Sequence, residues 1–399
     1  MRFTEDMFAR HMRPITGSAI REIFKLLGRP GMISFAGGNP SNAALEPDVV
    51  SELAREALEK YGTALLQYGA TDGFGPFRES AAEFLRGSLV NCEAADILPT
   101  QGGTQAFDVL LKALIDPGDA VLCESPTFLG AIQAMREYNA RLISMPTDEN
   151  GVIPEAAEEL IREHRPKLMY VIPTFQNPTG ITLSLERRRA LAELAAKYGV
   201  VIAEEDPYRD LRYAGEALPT IQSFDEEGWV VYMSSFSKYV APGLRVGAAA
   251  VRNPLLLRKM VIGKQSADTH SPLLNQAIVD GYIRKGFMPG HLARICGEYR
   301  VQLETMLDCF SLFPEGTAHT FPQGGLFVWG ELPEGTDGLE VFRRAVENGV
   351  AFVPGTHFYP DGGHMSTLRL NFSMSQPDTI REGMGRLAET IRNCMQEGI

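Results

Sequence analysis

The segment SSFSKYVAPGLRVG (234 to 247) sets Lys238 among hydroxyls at the end of an apolar run, with Arg245 seven residues further on. A lysine amine can condense with an aldehyde cofactor to form a Schiff base, which divides a difficult substitution into easier steps. Taken alone, the same lysine reads as an ordinary surface charge. Upstream, VVIAEEDPY ends a second apolar run on Asp206, Pro207 and Tyr208. Asp206 reads as a helix cap or loop acid, or as the carboxylate that keeps a proton on a pyridine nitrogen and makes that ring an electron sink. Tyr208 would then donate to a phenolate oxygen of the ring. The Asn177 amide in PTFQNPTG (173 to 180) is a neutral donor suited to the same oxygen, although Asn-Pro and Thr-Gly are also common turn dipeptides.

Other segments could hold an anion or a flat ring. TQGGTQAFDVLLKAL (100 to 114) is a glycine-bearing turn that enters an amphipathic helix; it lacks the GxGxxG and GxxxxGK patterns, so a nucleotide is poorly supported. The glycines serve simply to permit the bend, or else the backbone amides of Gly103 and Thr104 form an anion site at a helix N-terminus, with Ser235 and Arg245 adding a hydroxyl and a fixed charge. Phe128 in ESPTFLG is core, or an aromatic face for stacking. Arg369, in the alternating run TLRLNFSM, faces water or offers its planar fork to a carboxylate, as an amino-acid substrate requires. Tyr68 in LLQYGATDG and Gly38 in SFAGGNP ordinarily mark turns, and alone carry no message.

These residues must be positioned by the elements around them. Short apolar runs alternate with amphipathic segments, which is an α/β pattern. Strands are expected in 119 to 125, 141 to 146, 167 to 173, 200 to 206, 229 to 235 and 244 to 251. Most are apolar throughout, as in a mainly parallel sheet covered on both faces, and helices such as LERRRALAELAAKYG (185 to 199) separate them. After Pro289 the pattern changes to a long helix (about 291 to 312), then LFVWGEL, VAFVPG and TLRLNFSM as strands of a smaller α+β domain. The first 45 residues, with a helix near Ser18 to Leu27, are expected to pack with that domain.

At 399 residues the chain is long enough for two or three domains. No apolar run approaches the ~18 residues of a membrane span, and the N-terminal MRFTEDMFARHMRP reads as an arm without the apolar core of an export signal. Five cysteines without CxxC pairs fit free thiols in a reducing compartment, with no disulfide and no metal expected. A net charge of −12 disfavours nonspecific binding to nucleic acid. The expected partners are small molecules, and the expected location is the cytoplasm.

Seven motifs in order (QYGATDG, GGTQ, SPTF, QNPTG, EEDPY, SFSK with Arg245, and LRLNFS) resemble fold-type I aminotransferases dependent on pyridoxal phosphate. The nearest look-alikes are the branch including 2-aminoadipate and kynurenine aminotransferases, together with aminotransferase-like domains of some bacterial transcription regulators. The resemblance implies an α/β fold: a large domain (46 to 289) with a mainly parallel seven-stranded sheet, a small α+β domain (290 to 399), and an arm with a substrate-facing helix (1 to 45). It implies Lys238 as Schiff-base lysine and proton shuttle, Asp206 on the pyridine nitrogen, and Asn177 with Tyr208 on the ring oxygen. Gly103, Thr104, Ser235 and Arg245 would cradle the phosphate, where relatives often have Ser-Gln in place of Gly103 and Thr104. Phe128 would stack where the family often has tyrosine. Arg369, helped by Gly38 and Asn177, would bind the substrate carboxylate, and Arg21 would meet an acidic side chain or make an ordinary ion pair. Tyr68 would reach the phosphate of a neighbouring subunit, implying a homodimer with shared sites. The implied activity is ping-pong transfer of an amino group from an L-amino acid of 2-aminoadipate, aromatic or branched-chain type to a 2-oxo acid such as 2-oxoglutarate. A lyase or decarboxylase on the same scaffold, and a silent sensor domain that binds the cofactor, are the competing expectations.

Overall fold

A computed structural model of the protein describes residues 3–13, 15 and 31–398. The expected helix near Ser18 to Leu27, and Arg21 with it, lie outside the described residues. In chain order the elements that frame the site begin with β1 (Ile33–Ser34), α1 (Pro47–Tyr61) and α2 (Gly75–Gly87). Then come β2 (Ile97–Thr100), α3 (Gly103–Leu114), β3 (Ala120–Glu124), α4 (Leu129–Glu137), β4 (Arg141–Met145) and α5 (Pro154–His164). They are followed by β5 (Leu168–Val171), α6 (Leu185–Tyr198), β6 (Val201–Glu205), β7 (Val230–Ser235), β8 (Gly247–Val251), α7 (Pro254–Asp268) and α8 (Leu273–Arg284).

Seven of these strands form one sheet in the order β2-β8-β7-β6-β5-β3-β4. Neighbours run parallel except β8, which is antiparallel to both β2 and β7. The strands are apolar throughout because successive side chains enter different cores. On β5, Leu168 and Tyr170 join one cluster while Met169 and Val171 join another, and on β7 Val231 and Met233 face away from Val230. Both faces are thus dry, which explains why these runs show no alternation of polar residues.

Beyond α8, the long helix α9 (Phe287–Asp308) leads into an antiparallel sheet built from β9 (Ala318–His319), β10 (Phe327–Glu331), β12 (Val353–Pro354) and β13 (Thr367–Asn371). The order is β9-β10-β13-β12, with α10 (Gly338–Glu347) and α11 (Pro377–Gln396) alongside. A further short strand, β11 (Val350–Ala351), pairs in parallel with β1, so the chain's beginning is hydrogen-bonded to its C-terminal third.

Four differences from the sequence reading have physical causes. β2 escapes the pattern because it is a four-residue edge strand containing Pro99, a residue that withholds a ladder donor. The run 244 to 251 becomes a strand only at Gly247, because Pro242–Leu244 form a 3-10 turn and Arg245 takes a left-handed φ of 52°. VAFVPG divides at Phe352 between two sheets. Finally, α9 starts upstream of Pro289: a proline in the first turn has no intrahelical partner to lose, so it does not break the helix.

The cores predict a sharp contrast in tolerance. Leu122→Ala, at a completely buried position of β3, should cost about 2–5 kcal/mol and lower the thermal midpoint. Leu255→Ala, on the first turn of α7 with 76% of the side chain exposed, should change stability by less than about 0.5 kcal/mol.

Candidate active site

Parallel strands end on the same edge of the sheet, and the loops leaving that edge converge on a cavity of about 390 Å³. β7 delivers Ser235, Ser237 and Lys238; β6 delivers Glu205 and the residues to Tyr208; β5 delivers the loop with Asn177; β3 delivers Phe128; and β2 delivers Gly103 and Thr104. The C-terminal sheet closes the opposite side with Phe327 and Arg369, and the segment after β1 adds Gly38 and Asn39.

Lys238 Nζ donates to the Gly38 carbonyl at 2.6 Å. Burial pushes the amine's pKa down to about 8, helped by the positive charges of Arg369 and Arg245, while Glu205 works in the opposite direction. Arg369 is buried, and in the same way desolvation lowers its pKa to about 10. Its guanidinium is held in place from several sides: Nη1 donates to Asn177 Oδ1 at 2.9 Å, Nη2 donates to the Ala36 carbonyl at 2.7 Å, and the rings of Phe327 and Phe358 lie 4.2 and 5.0 Å away. Such aromatic faces stabilise a desolvated cation. Nε is buried with no partner, leaving one edge of the fork open to an acceptor.

At the start of α3 the backbone itself is the binding surface. Gly102 has φ 82°, and a Cβ there would stand 2.7 Å from Arg245 Nη2. Arg245 donates to the Gln101 carbonyl at 2.8 Å and to Ser237 Oγ at 3.4 Å, and Ser235 Oγ donates to Ser237 Oγ at 3.0 Å. Amide donors of a helix N-terminus, two hydroxyls and a guanidinium form a cradle for a compact anion. From below, Gln101 and Gln105 each donate to Asp268 Oδ2 at 2.7 Å, and buried Lys264 pairs with that same carboxylate. The loop is therefore anchored to α7.

Asp206 is completely buried at the end of β6. Its Oδ2 accepts from Thr174 at 3.3 Å and from Arg209 at 3.5 Å, whereas Oδ1 has no partner. Burial raises its pKa, while Arg209 and Arg188 oppose the rise. Asn177 Nδ2 donates to the Tyr208 hydroxyl at 3.4 Å. The Asn177 loop is itself tied down: Arg188 Nη2 donates to the Pro173 carbonyl at 2.6 Å, and Glu124 accepts from the Ile172 amide at 2.9 Å.

Of the residues singled out from sequence, Gly38, Gly103, Thr104, Phe128, Asn177, Tyr208, Ser235, Lys238, Arg245 and Arg369 line this one cavity. Asp206 sits between the lining residues Glu205 and Pro207. Arg369 does not sit on the outer surface: it is buried on a strand whose two faces are both covered. Tyr68 is not among the cavity's lining residues; it is 82% exposed and packs edge-on against His270. Sequence reading missed Ser237, Glu205 and Phe327, all of which line the cavity. The third hydroxyl in SSFSK was a visible signal for Ser237, but nothing in EED or LFVWG distinguished the other two from core. Among the described residues there is no cluster able to hold a metal and no helix long and apolar enough to cross a membrane.

Pyridoxal phosphate asks for an amine, an anion cradle, an acid and flat surfaces, and Lys238, the glycine turn with Arg245, the Glu205 carboxyl and the Phe128 ring lining one cavity fit that demand. The family model for aminotransferase class I and II matches residues 30–387. The aromatic-amino-acid aminotransferase 1 of Thermococcus litoralis is 39% identical, covering 98% of this chain and 96% of that protein. The 2-aminoadipate transaminase of Thermus thermophilus is 38% identical, covering 98% of both. A solved structure of α-aminoadipate aminotransferase from Thermus thermophilus, complexed with N-(5'-phosphopyridoxyl)-L-leucine, has a TM-score of 0.91 at 37% identity, with 98% of this chain and 99% of that chain covered. The chain therefore belongs to the class I and II aminotransferases and is a pyridoxal-phosphate-dependent aminotransferase.

Proposed function

We propose that this aminotransferase moves the amino group of an L-amino acid of aromatic, 2-aminoadipate or branched-chain type to a 2-oxo acid such as 2-oxoglutarate, by a ping-pong mechanism, with Lys238 holding the cofactor. The observation that carries this reading is the pair of fixed cations flanking a desolvated amine: Arg245 at the anion cradle and Arg369 with its open Nε edge. When bound, pyridoxal phosphate supplies an aldehyde that takes up amines and a ring that accepts the electron pair left at Cα.

The chain's residues divide the remaining work. Gly103, Thr104, Ser235 and Arg245 hold the phosphate, and Phe128 covers one face of the ring. Asp206 Oδ1 holds a proton at the ring nitrogen, and Tyr208 with Asn177 donates to the ring oxygen. Arg369, with Gly38 and Asn177, fixes the substrate carboxylate and so sets which Cα bond faces the Lys238 amine. As a free amine, Lys238 would take the Cα proton of the bound amino acid and hold it for return within the cavity. With a 2-oxo acid as acceptor the same residues act in reverse. Phe327, Phe128 and Leu129 give the cavity apolar walls, which suit side chains larger than alanine's. We also read the chain as a cytoplasmic homodimer divided near residues 45 and 289: exposed Tyr68 is free to reach a partner's cradle, and all five cysteines are free thiols.

Three measurements test this reading. Absorption spectra of the holoenzyme with a panel of amino acids should show the visible band bleaching with aromatic, aminoadipate or branched-chain donors and recovering with 2-oxoglutarate; a band that no donor bleaches would refute it. Asp206→Ala should retain cofactor while kcat falls by about 10²-fold or more. Only the neutral Lys238 amine attacks an aldehyde, so the rate of reconstitution from apoenzyme should rise with pH and level off above about 8. Arg369→Gln removes a neighbouring positive charge and should move that inflection to higher pH.

A further inference from the structure

Helix α4 has a glycine, Gly130, as its second residue. Glycine is among the poorest helix formers, and this one takes no left-handed φ, so backbone freedom is not what the position needs. What a side chain would take away is space. A Cβ at 130 would stand 2.6 Å from Phe128 Cζ and 2.7 Å from Phe128 Cε1, well inside carbon–carbon contact distance. The far edge of the Phe128 ring therefore lies against the first turn of the helix that Phe128 itself caps, and both residues line the cavity. The ring has few ways to yield. Its backbone is pinned on both sides: the Phe128 carbonyl accepts from Ala131 at 2.9 Å and Ile132 at 3.1 Å, and the preceding amide, of Thr127, donates to the Phe358 carbonyl at 2.8 Å. The side chain also packs against the core on one face of the large sheet. A close-packed core has no room for a displaced ring, whereas the cavity beside it has.

We propose that Gly130 is a positioning residue for the cofactor: by having no Cβ it lets the Phe128 ring lie back against α4, where the ring covers the cofactor instead of filling its place. An alanine at 130 would drive the ring out into the cavity, the one direction in which it meets open volume. The apoprotein would tolerate this, since the displaced ring has somewhere to go and alanine favours the helix. The cofactor would not, because it would have to push the ring back against the new methyl group in order to bind. Glycine at 130 and the aromatic ring at 128 are then a matched pair, two residues apart in the chain and joined by one shared volume.

This role for Gly130 rests on Phe128 being the residue that covers the cofactor ring, and one set of variants separates the two. Apoprotein of wild type, Gly130→Ala, Phe128→Leu and the double variant is titrated with pyridoxal 5'-phosphate and with pyridoxal, following the visible band, and each apoprotein is melted. Gly130→Ala should weaken both ligands by about threefold or more, as for a lost aromatic contact, while its thermal midpoint is no lower than that of wild type. Leucine lacks the far edge of the ring, so in the Phe128→Leu background the same change at 130 should alter affinity by less than about twofold. Equal weakening by Gly130→Ala in both backgrounds overturns the proposal, because the effect would not pass through the ring. So does an unchanged affinity in Gly130→Ala, or a loss confined to the phosphate ester, which a disturbed cradle would give. A Gly130→Ala apoprotein that fails to fold, or melts well below wild type, overturns it too, since the glycine would then serve the fold and not the cofactor. Phe128→Leu protein that binds both ligands as wild type does would overturn the stacking role of Phe128 itself, and that of Gly130 with it.

Discussion

Lys238 Nζ is held 2.6 Å from the Gly38 carbonyl, close enough to Arg369 and Arg245 for both to repel its charge. A desolvated ion without partners is costly, a constraint that acts on buried Arg369 and half-buried Lys238, while Arg245 lies exposed at the cavity's rim. The two guanidinium groups are held by neutral or partial charges: Arg369 by Asn177, the Ala36 carbonyl and two aromatic faces, and Arg245 by the Gln101 carbonyl and Ser237. None of these partners is an anion. The positive potential stays available to anions, within a chain whose net charge is −12.

The fold makes this arrangement possible by separating rigidity from exposure. The loops that carry the site leave a sheet whose strands are dry on both faces, so their starting points are fixed by packing. Buried ion and hydrogen-bond anchors then fix the loops themselves: Arg188 and Glu124 hold the Asn177 loop, while Lys264 and Asp268 hold the glycine turn. Closing the cavity needs the second sheet, which contributes Arg369 and Phe327. The hydrogen bonds from β1 to β11 bring Gly38 to the same place. Residues from the beginning, middle and end of the chain meet at a single amine.

Much of this was legible in the sequence where local chemistry and periodicity agree. The strands around 120, 142, 169, 202 and 231 were clear because doubly buried strands are written as unbroken apolar runs, and helix α6 because its apolar and charged residues repeat with a helical period. β2 was not, since a four-residue edge strand with a proline carries too little signal. Cavity residues with unusual chemistry in a loop, such as Lys238, Asn177 and Arg245, announced themselves by type and order. Glu205 and Phe327 did not: the first looks like one more acid in EED, the second like one more aromatic in a core strand. Their importance comes from contacts made only in the folded chain, Gly103 for Glu205 across the large sheet's edge and Arg369 for Phe327 through the pairing of β10 with β13.

The central claim is that one amine, Lys238, carries the cofactor. Borohydride reduction of the holoenzyme, followed by proteolysis and mass spectrometry, tests it directly. The account predicts the reduced phosphopyridoxyl group on the peptide containing Lys238 and on no other lysine, including buried Lys264. Modification at a different lysine in protein that retains its activity would contradict it.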